Sequence, residues 1–122
     1  MTLMLAGRMM TLAFIGQAGS GLEGAPPAGW LMPLVGDAVI GLAAPVIAVL
    51  IWTGRGRAAL VAITVFHALG IWDALSAWLV HYSVPWPEFF MIQIFGWTMF
   101  PMAAVMHAIA AVLVWLAWRI RA

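Results

Sequence analysis

Residues 58–80 read AALVAITVFHALGIWDALSAWLV, and this stretch decides the fold class. At about 1.5 Å per residue, a helix of this length rises about 34 Å, which is enough to cross a hydrocarbon core about 30 Å thick. Apolar runs of similar or greater length lie on either side of it, at about residues 30–52 and 89–120. Short polar or Gly/Pro-rich breaks separate the three runs, so we predict three transmembrane helices.

The composition of the whole chain indicates the same environment. Of its 122 residues, 66% are hydrophobic and 7% are charged, whereas a soluble domain carries about 25% charged residues. At this length we expect one domain, 1–122, with no separate soluble module. The formal net charge of +1 argues against a nucleic-acid partner, and the absence of cysteine excludes disulfides and thiolate metal sites. The predicted surroundings of the chain are therefore the lipid bilayer.

The first segment, about residues 3–20, is shorter and is interrupted by Arg8. It could be the hydrophobic region of a signal peptide, but no small-x-small cleavage site follows it. We therefore expect a short or half-inserted helix, followed by a loop that contains Pro26 and Pro27. The predicted fold is an all-α integral membrane protein, an antiparallel bundle of four transmembrane helices of which the first is short.

The charged residues outside the predicted spans separate by sign. Short cytoplasmic loops carry an excess of Lys and Arg, so the side that carries the arginines is predicted to face the cytoplasm. This places a multi-pass protein in the inner (plasma) membrane with its C-terminus in the cytoplasm. The arginines on that side are Arg55, Arg57, Arg119 and Arg121, and the acidic residues on the other side are Glu23 and Glu88.

Every ionisable side chain within the three long spans shares a helix face with small residues and lies opposite a stripe of bulky apolar ones. Small residues let helix backbones approach each other closely, and exposure of a charged group to lipid is costly. We therefore predict that these side chains turn toward the interior of the bundle. They are Asp37, His67, Asp73, His81 and His107.

The rise of a helix places these residues at two levels. His67 and His107 lie at similar distances from the cytoplasmic ends of their helices, near the midplane of the membrane. Asp37 and Asp73 lie about 9 Å closer to the outer surface, and His81 lies just beyond them.

Two midplane histidines on different helices are typical of heme b sites, in which each imidazole gives one axial nitrogen to the iron. Our leading hypothesis is a non-catalytic membrane protein that binds heme b, or another intramembrane cofactor, through His67 and His107 as a subunit of an electron-transfer assembly. A zinc or copper site would need a third or fourth ligand, so a metal is left open. The spacing from Ala103 to His107, with Trp118 eleven residues further on, resembles the antenna polypeptides of purple bacteria and implies a magnesium-chlorin pigment on His107.

Two other functions fit the same residues. Asp37, Asp73 and the histidines could form a ladder of proton-exchanging groups, which predicts a small proton-coupled carrier or channel with His81 at its outer end. Alternatively, these groups only hydrogen-bond to one another and hold the helices in register. The chain would then be a structural or assembly subunit, with other membrane subunits or a second copy as its partners.

Two motifs carry a resemblance to known sequences. Pro33-x-x-Gly36-Asp37 and His67-x-x-Gly70-x-x-Asp73 resemble a pattern in uncharacterised small bacterial membrane proteins of four helices. The resemblance implies a four-helix architecture and carries no activity.

Overall fold

The computed structural model describes residues 2–54, 56–86 and 90–121, and within these ranges it contains helices and no strands. About 84% of the structure is helical, which confirms the all-α prediction. An N-terminal 3-10 helix runs directly into the short helix α1, and a loop and one 3-10 turn lead to three long helices. The bounds are Thr2–Thr11 for the N-terminal 3-10 helix, Leu12–Ile15 for α1, Ala28–Trp30 for the 3-10 turn, Leu31–Thr53 for α2, Arg57–Ser83 for α3 and Phe90–Arg121 for α4.

Three helical segments are long and apolar enough to span a membrane, namely Ala28–Thr53, Arg57–Ser83 and Ile94–Ile120. This confirms the membrane character that the composition predicts. Their outward faces carry large apolar side chains that a bilayer would cover, as the helical periodicity predicts. Examples are Val39, Leu42, Val46 and Val49 on α2, Val65, Leu69, Trp72 and Leu79 on α3, and Val105, Ile109, Val112 and Leu116 on α4.

The N-terminal helical segment ends at Ile15, earlier than the predicted limit near residue 20. Gly19, Gly21 and Gly24 all have φ near +75°, a left-handed conformation that glycine adopts without steric cost. The N–H of Gly19 donates to the carbonyl of Pro26 at 2.9 Å, and this bond turns the chain back toward α2. Loop glycines therefore take the place of the last predicted helical turn.

The four helical segments pack in sequence order. The N-terminal 3-10 helix lies along α2, α2 packs against α3, and α3 packs against α4. Gly56, with φ of +90°, is the N-cap of α3 and lies three residues after the end of α2, so these two helices form an antiparallel hairpin. Helices α2 and α3 are the two inner members of this arrangement.

Small residues mark the closest contacts. A Cβ at Gly41 of α2 would overlap the backbone of Arg8 and Met9 in the N-terminal 3-10 helix. A Cβ at Gly70 of α3 would overlap the imidazole of His107 on α4. Close packing at small residues is the usual means of helix association in lipid.

The charges that define the predicted orientation lie at opposite ends of the hairpin of α3 and α4. Arg57 begins α3 and Arg119 lies near the end of α4, where its guanidinium stacks 4.8 Å above the ring of Trp115. Glu23 is exposed in the loop at the other end. Two further residues of that prediction, Arg55 and Glu88, lie outside the described residues. The cytoplasmic side stays a prediction of the positive-inside rule.

Candidate functional site

The interior of the bundle contains an arginine between two carboxylates. Arg8, from the N-terminal 3-10 helix, places Nη2 2.6 Å from Oδ2 of Asp73 on α3, and the same nitrogen forms an ion pair with Oδ1 of Asp37 on α2. The side chains of Arg8, Asp37 and Asp73 are 17%, 23% and 8% exposed. Three segments that are distant in sequence are thus joined by charge at one point.

Local packing positions these three groups. Gly36 of α2 leaves room for the acid of α3, because a Cβ there would overlap Oδ1 of Asp73. The hydroxyl of Thr11 lies 2.8 Å from the carbonyl oxygen of Arg8 and 3.2 Å from that of Leu34, so it links the N-terminal 3-10 helix to α2. The contact at Gly41 brings the backbone of Arg8 close enough for its side chain to reach both carboxylates.

The network continues from the guanidinium to the two histidines that the sequence places at one level. Nη1 of Arg8 lies 3.3 Å from Nε2 of His107, and Nδ1 of His107 lies 3.1 Å from Nδ1 of His67. Both imidazoles are almost completely buried, and the ring of Phe66 packs edge-on against each of them. The histidines and aspartates of the two predicted levels therefore belong to one connected network through Arg8.

The chemistry of the donors assigns the protons of the histidine pair. A guanidinium can only donate, so Nε2 of His107 accepts from Arg8. A neutral His107 then carries its proton on Nδ1 and donates it to Nδ1 of His67, which leaves the proton of His67 on Nε2. That buried Nε2 has no hydrogen-bond partner among the described residues. The network thus ends at a donor that is available to a further group.

His81 lies apart from this network. Its ring packs against Trp97, Phe100 and Trp30, with centroids 5.2, 6.0 and 6.3 Å away. It is 7% exposed, and neither of its nitrogens has a hydrogen-bond partner within the part of the chain that the structure describes. A Cβ at Gly96 would come within 2.9 Å of its Nε2, so α4 is close packed beneath the ring. The structure does not bring His81 to the aspartates with which the sequence grouped it.

A cavity of about 320 Å³ opens beside Asp37. It extends from the carboxylate toward the loop-rich end of the bundle, which we define as residues 16–27 together with 84–86. Asp37 is the one charged residue among the described residues that line it, and four of the others are aromatic. These are Phe14, Trp30, Trp86 and Phe100.

The histidine pair has the spacing of a hydrogen bond. Two axial imidazole nitrogens on opposite sides of one heme iron stand about 4 Å apart, twice a metal–nitrogen bond of about 2.0 Å. The Nδ1 atoms of His67 and His107 are 3.1 Å apart, the distance of a direct hydrogen bond. Among the described residues, no group of three or more His, Asp or Glu side chains is arranged to hold a metal ion.

Arg8 is the residue of this site that the sequence analysis did not identify, since it was interpreted only as an interruption of the first segment. The signal that could have found it is charge balance. Two inward carboxylates within apolar spans need a counter-charge, because an isolated buried charge is costly. Arg8 is the arginine that the sequence places within an apolar run away from the ends of the three long spans.

These features define a class: an all-helical protein with three helices able to span a membrane and a buried network of one arginine, two aspartates and two histidines. Comparison with known proteins shows that no family model, no curated protein and no solved structure matches this chain. The function is therefore inferred from the chemistry of the described residues.

Proposed function

We propose that this protein is a small proton-coupled membrane carrier and that Asp37 and Asp73 bind its coupling proton. The observation that carries the proposal is the pairing of two carboxylates with the single guanidinium of Arg8. The three groups carry one more negative charge than positive charge when all are ionised. One proton or one cationic solute neutralises the excess, and neutrality is favoured because uncompensated charge within a membrane is costly.

The same balance explains coupling. When a proton occupies the acid pair, a second positive charge has no counter-charge and is disfavoured. When a cationic solute occupies it, the proton leaves to water. A site that holds one positive charge at a time exchanges protons for cations, and His107 and His67 extend the path of exchangeable hydrogens from Arg8 into the bundle.

The proposal includes the placement of the N-terminal segment as a short fourth transmembrane element. Ten residues of 3-10 helix at about 2.0 Å each and four of α-helix at about 1.5 Å each cover about 26 Å. This length covers most of a hydrocarbon core that is about 30 Å thick. The ion pairs of Arg8 supply the counter-charges that such a segment needs in lipid. We place the chain in the inner (plasma) membrane with its C-terminus in the cytoplasm.

Heme b ligation by His67 and His107 is the competing proposal. It rests on two buried imidazoles from neighbouring helices, and it requires the hydrogen bond between their Nδ1 atoms, now 3.1 Å long, to break so that one nitrogen of each ring can stand on either side of an iron, about 4 Å apart. It also requires a flat space between α3 and α4, where the ring of His107 now lies against Gly70. The direct hydrogen bond favours the proton-handling network. Gain of a Soret band when hemin is added to the purified protein, and its loss in His107→Ala, would favour heme.

Proton flux into liposomes tests the proposed function. The full chain is reconstituted with internal pyranine, and organic cations, anions or neutral solutes are loaded inside the liposomes in separate arms, so that the outward solute gradient drives proton entry. Valinomycin with equal potassium on both sides holds the membrane potential at zero. We expect Asp73→Asn to reduce proton flux at least about tenfold, because it removes one of the two carboxylates that bind the proton. Glu23→Gln, which changes an exposed loop carboxylate, should leave it unchanged. Equal flux in the wild type and Asp73→Asn in every arm would overturn the proposal.

A further inference from the structure

We infer that the cavity beside Asp37 is the substrate site and that it takes an organic cation with an apolar or aromatic body, such as a quaternary ammonium. This inference rests on the proposed function and names the substrate class of that carrier. It is carried by the shape, the wall chemistry and the charge of one cavity.

The cavity has the size of a small-molecule site. Its volume of about 320 Å³ falls within the range of about 300–1,000 Å³ that is usual for ligand pockets. The rings that form its wall pack on one another, with Trp30 5.7 Å from Trp86 and 6.0 Å from Phe100 between centroids. Such mutually packed rings form a preorganised apolar surface, which lowers the entropic cost of binding.

The side-chain hydrogen-bond donors of the described wall already have backbone carbonyls as acceptors. The indole nitrogen of Trp30 donates to the carbonyl of Val84 at 2.8 Å, and that of Trp86 donates to the carbonyl of Gly24 at 3.3 Å. The hydroxyl of Thr11 is engaged by backbone carbonyls. The described wall therefore offers ring carbons and a carboxylate rather than donors that would hold an anion.

Ring surfaces and a carboxylate are together selective for cations. The face of an aromatic ring attracts a quaternary ammonium through its quadrupole, an interaction that strengthens when the cation is desolvated. Asp37 supplies a formal negative charge at the inner end of the cavity and also contacts Arg8. A bound cation therefore competes with Arg8 and with the coupling proton for the same carboxylate, which links occupation of the cavity to the network.

Calorimetry with a defined probe tests this site without any proton gradient. The full chain in detergent is titrated with benzyltrimethylammonium, and phenylmethanesulfonate, which has the same aromatic ring and the opposite charge, is the matched ligand control. We expect saturable binding of the cation and none of the anion. Repeating the titration in buffers of different ionisation enthalpy should reveal release of up to one proton per bound cation.

Variants locate the binding. Asp37→Asn should weaken cation binding at least about tenfold, and Phe100→Leu, which removes a ring and keeps the network, about fivefold. Trp72→Phe and Glu23→Gln are the controls, since Trp72 is 73% exposed on the outer face and Glu23 is exposed in the loop. Both should bind the cation as the wild type does. If Asp37→Asn fails to fold, judged by size-exclusion chromatography, Phe100→Leu still tests the location.

The outcomes separate this inference from the proposed function. A wild type that shows Asp73-dependent proton flux and no binding of the cation overturns the inference alone. Cation binding that is unchanged in Phe100→Leu also overturns it, because the cavity is then not the site. Binding that depends on Asp37 and Phe100, without proton flux in any liposome arm, supports the cavity as a cation site and overturns proton-coupled transport.

Discussion

Arg8 joins both levels of polar residues in the bundle, because its guanidinium contacts Asp37, Asp73 and His107. A guanidinium suits this position. It stays protonated in proteins and offers five donors in a planar fork, so it can serve several acceptors at once. An ammonium has a single charged nitrogen and could not bridge groups at two levels in the same way. Charge compensation in this interior therefore depends on one residue.

Replacing Arg8 tests this dependence. We expect Arg8→Gln to lower the free energy of unfolding by about 3 kcal/mol, because the buried Asp73 and the half-buried Asp37 lose their counter-charge. Thermal unfolding of the purified protein in detergent, followed by tryptophan fluorescence, measures the change. Arg57→Gln, at the exposed start of α3, is the matched control and should unfold as the wild type does.

A double variant separates charge from packing. Combining Arg8→Gln with Asp73→Asn removes one positive and one negative charge, so it should recover part of the stability that Arg8→Gln alone loses. A double variant that is no more stable than Arg8→Gln alone would contradict this account.

At the scale of the elements, the backbone of the N-terminal segment packs on one face of α2. The 3-10 helix lies along α2, with its backbone against Gly41 and the hydroxyl of Thr11 at the carbonyl of Leu34. A 3-10 helix rises about 2.0 Å per residue, compared with about 1.5 Å for an α-helix. It therefore covers more depth with few residues, which lets a short segment carry Arg8 into the interior.

A substitution at Gly41 should release this segment. The Cβ of Gly41→Ala would overlap the backbone of Arg8 and Met9, so the 3-10 helix must move away from α2. The chain has no cysteine, which permits clean labelling at a single cysteine introduced at Thr11. We expect Gly41→Ala to raise the rate of maleimide labelling at Thr11→Cys several-fold.

The control for that measurement is another glycine. Gly16→Ala in the same Thr11→Cys background adds a methyl group where no atom lies within 4 Å and φ is an ordinary −69°, so the labelling rate should not change. An unchanged rate in Gly41→Ala would show that the segment does not depend on close approach to α2.

At the scale of the whole molecule, charge is distributed toward the two ends of the bundle and the cavity lies nearer one of them. Arg57 and Arg119 lie at the end opposite to the loop that carries Glu23. The cavity beside Asp37 extends toward the loop-rich end. With the orientation predicted by the positive-inside rule, the cavity lies in the outer half of the membrane.

Labelling in intact cells tests this orientation. We expect Glu23→Cys to react with a membrane-impermeant maleimide in intact spheroplasts, because it lies in an exposed loop on the outer side. Arg57→Cys should react only after permeabilisation, because the arginine-rich end faces the cytoplasm. The reverse pattern would invert the topology and turn the cavity toward the cytoplasm.

Sequence patterns alone were sufficient for the properties that depend on short segments. The apolar lengths predict three helices able to span a membrane, because the free energy of transfer into lipid depends on local composition. The 3.6-residue period predicts which face of each helix is buried, and His67, Asp73, His81 and His107 lie on the buried faces. These properties need no knowledge of which helices are neighbours.

Only the tertiary structure decided which of the inward residues meet. Arg8 and His107 are 99 residues apart in sequence, and their contact depends on the packing of the N-terminal segment on α2 and of α3 on α4. The periodicity of one helix cannot show that His107 lies within hydrogen-bonding distance of His67, or that His81 is enclosed by aromatic rings. The sequence by itself therefore determined the environment, the long helices and their inward faces. Packing between distant segments determined the network centred on Arg8 and the cavity beside Asp37, because contacts between helices depend on side-chain shape across the whole chain.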